Sequence, residues 1–346
     1  MNKKEKRKMK KTMKRAVQAV LLLIVTMIFM TGCGKSKEVV VYTAVDEVFA
    51  EDIIKGFEQE TGIKVKVVYD SEANKTTGLV NRIISEEAHP VCDVFWNNEF
   101  MQTIKLAQSG LLESYESPSA DTIPDYYKAA DHTWAAEGGR ARVFLVNNAG
   151  IEGKKTPGGV RDFVSDEYTG DELAIAYPMF GTTKTMAAAL YAAWGEDEAR
   201  QYFEAIKAKG VNVVDGNSVT KDMAATGQVI IGFTDSDDAR EAIEDGADVT
   251  MVYPDQGPDD MGTLLTPSTV AMIKGAPNPD NAKVFVDYIL SEKVERQLVE
   301  AGFYDLSIRD AGKDGSIKGM SVPLEDIYDC MDVSAADMEK IFSDAK

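Results

Sequence analysis

From residue 39 onward, short apolar runs and longer amphipathic stretches alternate along the chain. Positions 39–42 are apolar or aromatic throughout and predict a buried strand. A helix is predicted over 48–60, where Phe49, Ala50, Ile53, Ile54 and Phe57 share one face and Gly62 ends it. Alternation over 63–69 predicts a second strand, 77–88 a second helix with Leu79, Val80, Ile83 and Ile84 inward, and 91–96 a third strand. The unit returns further along. Strand patterns at 173–177, 213–214 and 229–233 precede helices predicted over 184–194, from 217 to Gly227, and beyond 238. Between and after these lie a strand reaching Val146, a strand pattern over 263–273 broken by Pro267, helices over 281–290 and 293–301, and weaker helical patterns at 324–328 and 335–342. Strand–helix alternation of this kind predicts doubly wound α/β layers, whose ligands bind beyond the carboxyl ends of the strands.

Polar residues gather where these strands end. Thr43 and Asp46 follow the first, Glu72 and Thr76 the second, Asn97 and Glu99 the third. Gly181, Thr182 and Thr183 precede the 184–194 helix, and Asn217 and Ser218 start the next one. The first amides of a helix have no internal partner, so with these hydroxyls they form an anion seat. Thr234, Asp235 and Asp237 bring carboxylates to the end of 229–233, which suit an ammonium group or a hard cation. Any one of these residues also fits an ordinary helix cap or a solvated acidic turn. Two adjacent turns of opposite chemistry point to a site. One helix end contributes about 0.3–2 kcal/mol, whereas micromolar binding needs about −8 kcal/mol, so several turns must act together. Arg140 is a further candidate, because a guanidinium takes carboxylate or phosphonate through two parallel hydrogen bonds. A salt bridge within the strand region accounts for it equally well.

The first 15 residues carry nine Lys or Arg and one Glu, and an almost unbroken apolar run follows to Met30. With Gly32 and Cys33 next, the basic–apolar–small order predicts a signal peptide over 1–32. The apolar run falls short of the roughly 20 residues of a spanning helix. Gly32-Cys33 resembles a lipobox, which implies lipid on Cys33 and a tether over 33–37. Without the leader the charge is 38 − 9 basic against 57 − 1 acidic residues, a net −27. That excludes nucleic acid and an anionic membrane surface as partners, and an anionic solute would need local donors. The remaining length exceeds what one core usually serves, so two lobes are expected. Cys92 and Cys330 are expected as lone thiols, with a bridge between them as the alternative. With no CxxC and no Cys/His cluster, neither a zinc site nor a cofactor is expected.

The stretch VVDGNSVTKDMAATGQVIIGFTDSDDA at 213–239 resembles the solute-binding proteins of bacterial ABC importers, as do VVVYTA at 39–44, DVFWNNEFMQTIKLAQSGLL at 93–112 and ARVFLVN at 141–147. The branch is that of ferric-iron-binding and phosphonate-binding proteins, and the likeness runs from about Val39 to Phe303. It implies a type 2 periplasmic binding protein fold, in which two doubly wound α/β lobes are joined by a hinge. Lobe one would hold 38–145 and 264–300, and lobe two 146–263 and 301–346 with the C-terminal helices. It further implies a monomer outside the cytoplasmic membrane, held there by lipid, without enzymatic activity. Its partners would be a small-molecule ligand and the permease and ATPase of the importer. In ferric-binding relatives two neighbouring tyrosines hold the metal at the end of the strand matching 229–233; here Asp235, Ser236 and Asp237 stand there. The expected ligand is therefore an anionic or zwitterionic solute such as an aminoalkylphosphonate. Its head would sit on Thr182, Thr183, Asn217 and Ser218, and its amine would face Asp235 or Asp237 with Glu72. Ferric iron is the alternative, with Glu72, Asp235 and Asp237 as ligands. A secreted hydrolase is the competing class, but His89 precedes Pro90, His132 lies in an acidic loop, and no G-x-S-x-G, P-loop or G-x-G-x-x-G is present. A surface scaffold without a ligand is a third reading, and it predicts no ligand-dependent change in stability.

Overall fold

The computed structural model describes residues 37–70, 77–311, 313 and 316–343. The leader, Cys33, and the candidates Glu72 and Thr76 lie outside the described residues. The first unit comprises β1 (Glu38–Thr43), α1 (Glu47–Thr61), β2 (Lys64–Tyr69), α2 (Thr77–Ser85), β3 (Val94–Asn97) and α3 (Met101–Gln108), followed by the short β4 (Leu112–Glu113). Gly62 closes α1 in the left-handed conformation, φ 69°. The long β5 (Trp134–Asn147) leads to β6 (Leu173–Ala176), α4 (Gly181–Trp194), α5 (Glu196–Lys209), β7 (Asn212–Val214), α6 (Asn217–Ala225), β8 (Ile231–Asp235), α7 (Ser236–Glu244) and β9 (Val249–Val252). Next come β10 (Leu265–Ile273), α8 (Pro279–Ile289), α9 (Glu292–Glu300), α10 (Leu324–Asp329) and α11 (Met331–Phe342).

The strands run in the order β2-β1-β3-β10-β5-β8-β6-β7, with β4 on β10 and β9 on β5. β1 pairs parallel with β3, and β6 pairs parallel with both β7 and β8, as strand–helix–strand units dictate. β5 joins the two halves. Its residues up to Ala141 pair with β10, and from Arg142 onward it pairs with β8 and β9. The chain thus passes between the lobes of this α/β fold by changing strand partners inside one strand. One aromatic group anchors each half. Phe57 and Trp96 meet Phe285 with ring centroids 4.9 and 6.4 Å apart, and Phe144 meets Phe163 and Phe233 at 5.6 and 4.7 Å.

Several elements differ from their sequence patterns for identifiable reasons. β5 starts at Trp134, well before the apolar run, and carries Glu137 fully buried. β10 runs unbroken through Pro267. Having no N–H there, it shifts register against β5 between Pro267 and Ser268 instead of ending. β8 starts at Ile231 because Val229 still belongs to the turn leaving α6, its amide bonded to the Met223 carbonyl. Thr234 and Asp235 are therefore strand residues. β3 likewise falls at Val94–Asn97, and α2 stops at Ser85. Cys92 and Cys330 are unbonded.

Candidate functional site

The β5–β8 register places Arg142 opposite Asp235. Arg142 is fully buried. Its Nη1 faces Asp235 Oδ1 at 2.8 Å, Asn217 Oδ1 at 3.0 Å and Thr182 Oγ1 at 3.2 Å, and Nη2 donates to the Phe233 carbonyl at 3.1 Å. Asp235 Oδ2 accepts from the Thr182 hydroxyl at 2.6 Å and from Asn217 Nδ2 at 2.8 Å. The Thr183 hydroxyl reaches Asn217 Oδ1 at 3.4 Å. Three helices start around this network, α4 after Phe180, α6 after Gly216 and α7 after Asp235, and none of these residues caps its helix with its side chain. Gly181, Thr182 and Thr183 thus form the first turn of α4 rather than a turn before it, and Asn217 opens α6. Ser218 is exposed. Thr234 is buried and donates to the Asn217 carbonyl at 3.1 Å and to Asp238 Oδ2 at 3.3 Å. The hydroxyl–amide cluster and the carboxylate cluster, two poles in the sequence, here include a single buried network centred on the Arg142–Asp235 pair.

Beside that network lies a cavity of about 410 Å³, within the usual range for small-solute sites. Asp46, Asn98, Arg140, Asp237, Thr266 and Ser268 line it together with the aromatic Phe49, Phe303 and Tyr304. The strand ends of both halves therefore contribute to one space. Arg140 Nη1 donates to Asp237 Oδ2 at 2.9 Å. Burial works against the Arg140 charge, but the carboxylates of Asp237, Asp235 and Asp46 more than offset it, and its pKa stands above the ordinary value. Asp237 Oδ1 and Asn98 Oδ1 are buried without hydrogen-bond partners among the described residues. Burial, then the neighbouring Asp237 and Asp235, push the Asp238 carboxyl up to about 6. One carboxylate oxygen from each of Asp235, Asp237 and Asp238 lies within 4.8 Å of the others, a set able to hold a cation. Gly138, at φ 34°, seats the Tyr304 ring against β5, where a Cβ would come within 2.0 Å of it.

The remaining candidates shape the loops of the first half. Thr43 is buried and its hydroxyl accepts the Val45 amide at 3.0 Å. Asn97 Nδ2 bonds Glu99 Oε1 at 2.9 Å, and Glu99 accepts the Met101 and Gln102 amides at 2.6 and 3.0 Å, capping α3. Burial raises the Glu99 carboxyl despite these bonds. Together they hold the loop that carries Asn98 to the cavity. Sequence reasoning missed Arg142 and Asn98. The first had a signal, since Arg140 and Arg142 stand two apart in a strand and so share a face. Asn98 had none beyond its place between Asn97 and Glu99.

Residues 52–315 match the family described as bacterial extracellular solute-binding protein. Iron uptake protein A1 of Synechocystis is 22% identical over 284 residues, covering 78% of this chain and 76% of that protein. A Salmonella typhimurium protein named "Putative 2-aminoethylphosphonate-binding periplasmic protein" is 21% identical over 247 residues, 70% of this chain and 69% of that one. The ferric iron-binding protein A of Mannheimia haemolytica, solved in an open conformation, superposes with a TM-score of 0.76 at 21% identity, over 88% of this chain and 98% of that chain.

Proposed function

Because the chain belongs to the bacterial extracellular solute-binding protein family, we propose that the cavity beside Arg140 and Asp237 captures a small zwitterion, an ammonium group joined to a phosphonate or similar compact anion. The chain is the solute-binding part of an ABC importer, acts outside the cytoplasm, and is not an enzyme. The observation that carries the zwitterion reading is that a guanidinium and a carboxylate, Arg140 and Asp237, line the same space and pair with each other at 2.9 Å. Asp237 Oδ2 takes one hydrogen bond from Arg140, and a carboxylate oxygen accepts more than one, so an ammonium N–H adds a charge-assisted bond of about 1.5–3 kcal/mol there. Asp235 already accepts from Arg142, Thr182 and Asn217, so the amine falls to Asp237. The anionic end falls to Arg140, the guanidinium that lines the cavity. The simplest such solute is 2-aminoethylphosphonate, the compound in the Salmonella relative's name.

Ferric iron is the second reading. The Asp235–Asp237–Asp238 trio and the iron in the names of other relatives favour it, and Glu72 would join the trio. We further propose lobes over 38–145 with 264–300 and over 146–263 with 301–346, a monomer, and a lipid anchor on Cys33. The partner change of β5 at Ala141–Arg142 supports the first boundary, and the packing of α10 and α11 on α4 supports the placing of the tail. A thermal-shift screen of the full chain in mild detergent against 2-aminoethylphosphonate, phosphate and ferric citrate tests the ligand. A ligand at 100 times its Kd adds about 2.7 kcal/mol of stability. A rise with the aminophosphonate supports the zwitterion, and a rise with ferric citrate alone replaces it with iron.

A further inference from the structure

We propose, resting on the zwitterion reading above, that Asp305 is a positioning residue of the site: it touches no solute, but it holds Asp237 where the ammonium needs it and so sets the preference for solutes that carry an amine. Asp237 is the second residue of α7 and keeps 43% of its side chain exposed, so a solute can reach it. Another part of the cavity wall comes from residues 302–306, which follow α9 and bring Gly302 and Phe303 to the cavity. This segment is neither helix nor ladder; its one strand-like pairing is an isolated bridge from Leu306 to Gly139 of β5. Its placing therefore rests on side-chain ties, and most of them meet at Asp305.

The Asp305 side chain is only 4% exposed and turns to α7. Its carboxylate accepts the Ser236 hydroxyl and pairs with Arg240, residues one helical turn apart on the same face. Arg240 also donates to the Gly302 carbonyl at 2.9 Å. The Ser236 hydroxyl oxygen in turn accepts the Ala141 amide of β5 at 2.8 Å, and the Asp305 amide donates to the Gly139 carbonyl at 3.0 Å. The two chain neighbours of Arg140, Gly139 and Ala141, and the residue before Asp237, Ser236, are thus all joined through Asp305. This one residue fixes how the guanidinium and the carboxylate of the site stand to each other. A carboxylate that only held the segment in place would change stability, and would change the affinity of every solute alike. One that aims Asp237 changes the discrimination between an amine and its methyl analogue.

The test is calorimetry of the full chain in mild detergent with 2-aminoethylphosphonate and propylphosphonate, read as the ratio of the two affinities. Asp305→Ala should cut that ratio about tenfold, the scale of one weakened charge-assisted hydrogen bond. Asp305→Asn, whose amide accepts from Arg240 and donates to Ser236, should keep most of it. In an Asp237→Asn background, Asp305→Ala should leave the ratio where it was, because the effect runs through Asp237. Melting curves confirm folding; if Asp305→Ala does not fold, Arg240→Met breaks the tie from the helix side and is read in the same way. A ratio left unchanged in the folded variant, whether both affinities fall together or neither does, overturns this inference and leaves the zwitterion reading standing. No preference for the amine compound in the wild type overturns the zwitterion reading itself, and this inference with it.

Discussion

Replacing Glu137 by glutamine should remove a large part of the protein's loss of stability between pH 5 and pH 8. Glu137 sits on β5, fully buried, where the strand changes halves. Its Oε1 accepts the Trp96 indole at 2.6 Å and the Tyr304 hydroxyl at 3.0 Å, while Oε2 has no partner among the described residues. The nearest charges are Glu295 on α9 and Arg309, which pair with each other in full burial. Burial first, with Glu295 adding to it, pushes the Glu137 carboxyl up to about 8 against the Trp96, Tyr304 and Arg309 contributions that lower it. In the unfolded chain the same group titrates near 4.5. Between those values the folded state holds a proton that the unfolded state has released, so raising the pH favours unfolding. The slope is about 1.4 kcal/mol per pH unit, for a total of at most roughly 5 kcal/mol. Glutamine preserves the acceptor facing Trp96 and Tyr304 and cannot ionise. Urea denaturation of both proteins at pH 5, 6, 7 and 8 measures the effect. Asp238 and Asp255, both raised to about 6, titrate in each protein and cancel in the difference. Glu137→Gln should gain on the wild type steadily with pH and overtake it by pH 8. A difference that stays constant across the range would refute the reasoning.

Arg142→Met should cost about 3–5 kcal/mol of folding stability by leaving Asp235 charged and buried, and adding Asp235→Asn should restore part of it; strict additivity in urea melts would contradict the coupling. Cys33→Ser should leave the leader uncut or release the protein from membranes, and unchanged processing and retention on fractionation would rule out the lipid anchor. Saturation with a bound solute should shrink the radius of gyration in small-angle scattering, as closure about β5 requires; an unchanged radius would count against that motion.

The two-lobed architecture was legible because short apolar strands and amphipathic helices alternate so regularly. What the pattern hid were positions where polar residues are buried. Residues 134–140 contain Glu137, Gly138, Gly139 and Arg140, which no hydrophobic count marks as strand, yet β5 runs through them. Pro267 looks like a break and is a register shift. At the site, the sequence marked the strand ends one by one and not as neighbours. Thr182, Asn217 and Asp235 were divided between an anionic and a cationic pole because separate turns carry them. Their mutual bonds depend on Arg142, and its reach follows from the β5–β8 register, a long-range pairing that local pattern does not encode. The contact of Phe49 with Phe303 was hidden for the same reason, since the two lie far apart in the chain and meet only in the fold.

The most direct test of the proposed site compares 2-aminoethylphosphonate with propylphosphonate, its analogue bearing methyl in place of the amine, by calorimetry on the wild type and on Asp237→Asn. The wild type should bind the amine compound more tightly. Asp237→Asn should weaken that compound by about 1–3 kcal/mol, the scale of one charge-assisted hydrogen bond, and leave propylphosphonate unchanged or slightly improved. Equal losses for both compounds, or no discrimination between them by the wild type, would contradict capture of a zwitterion between Arg140 and Asp237.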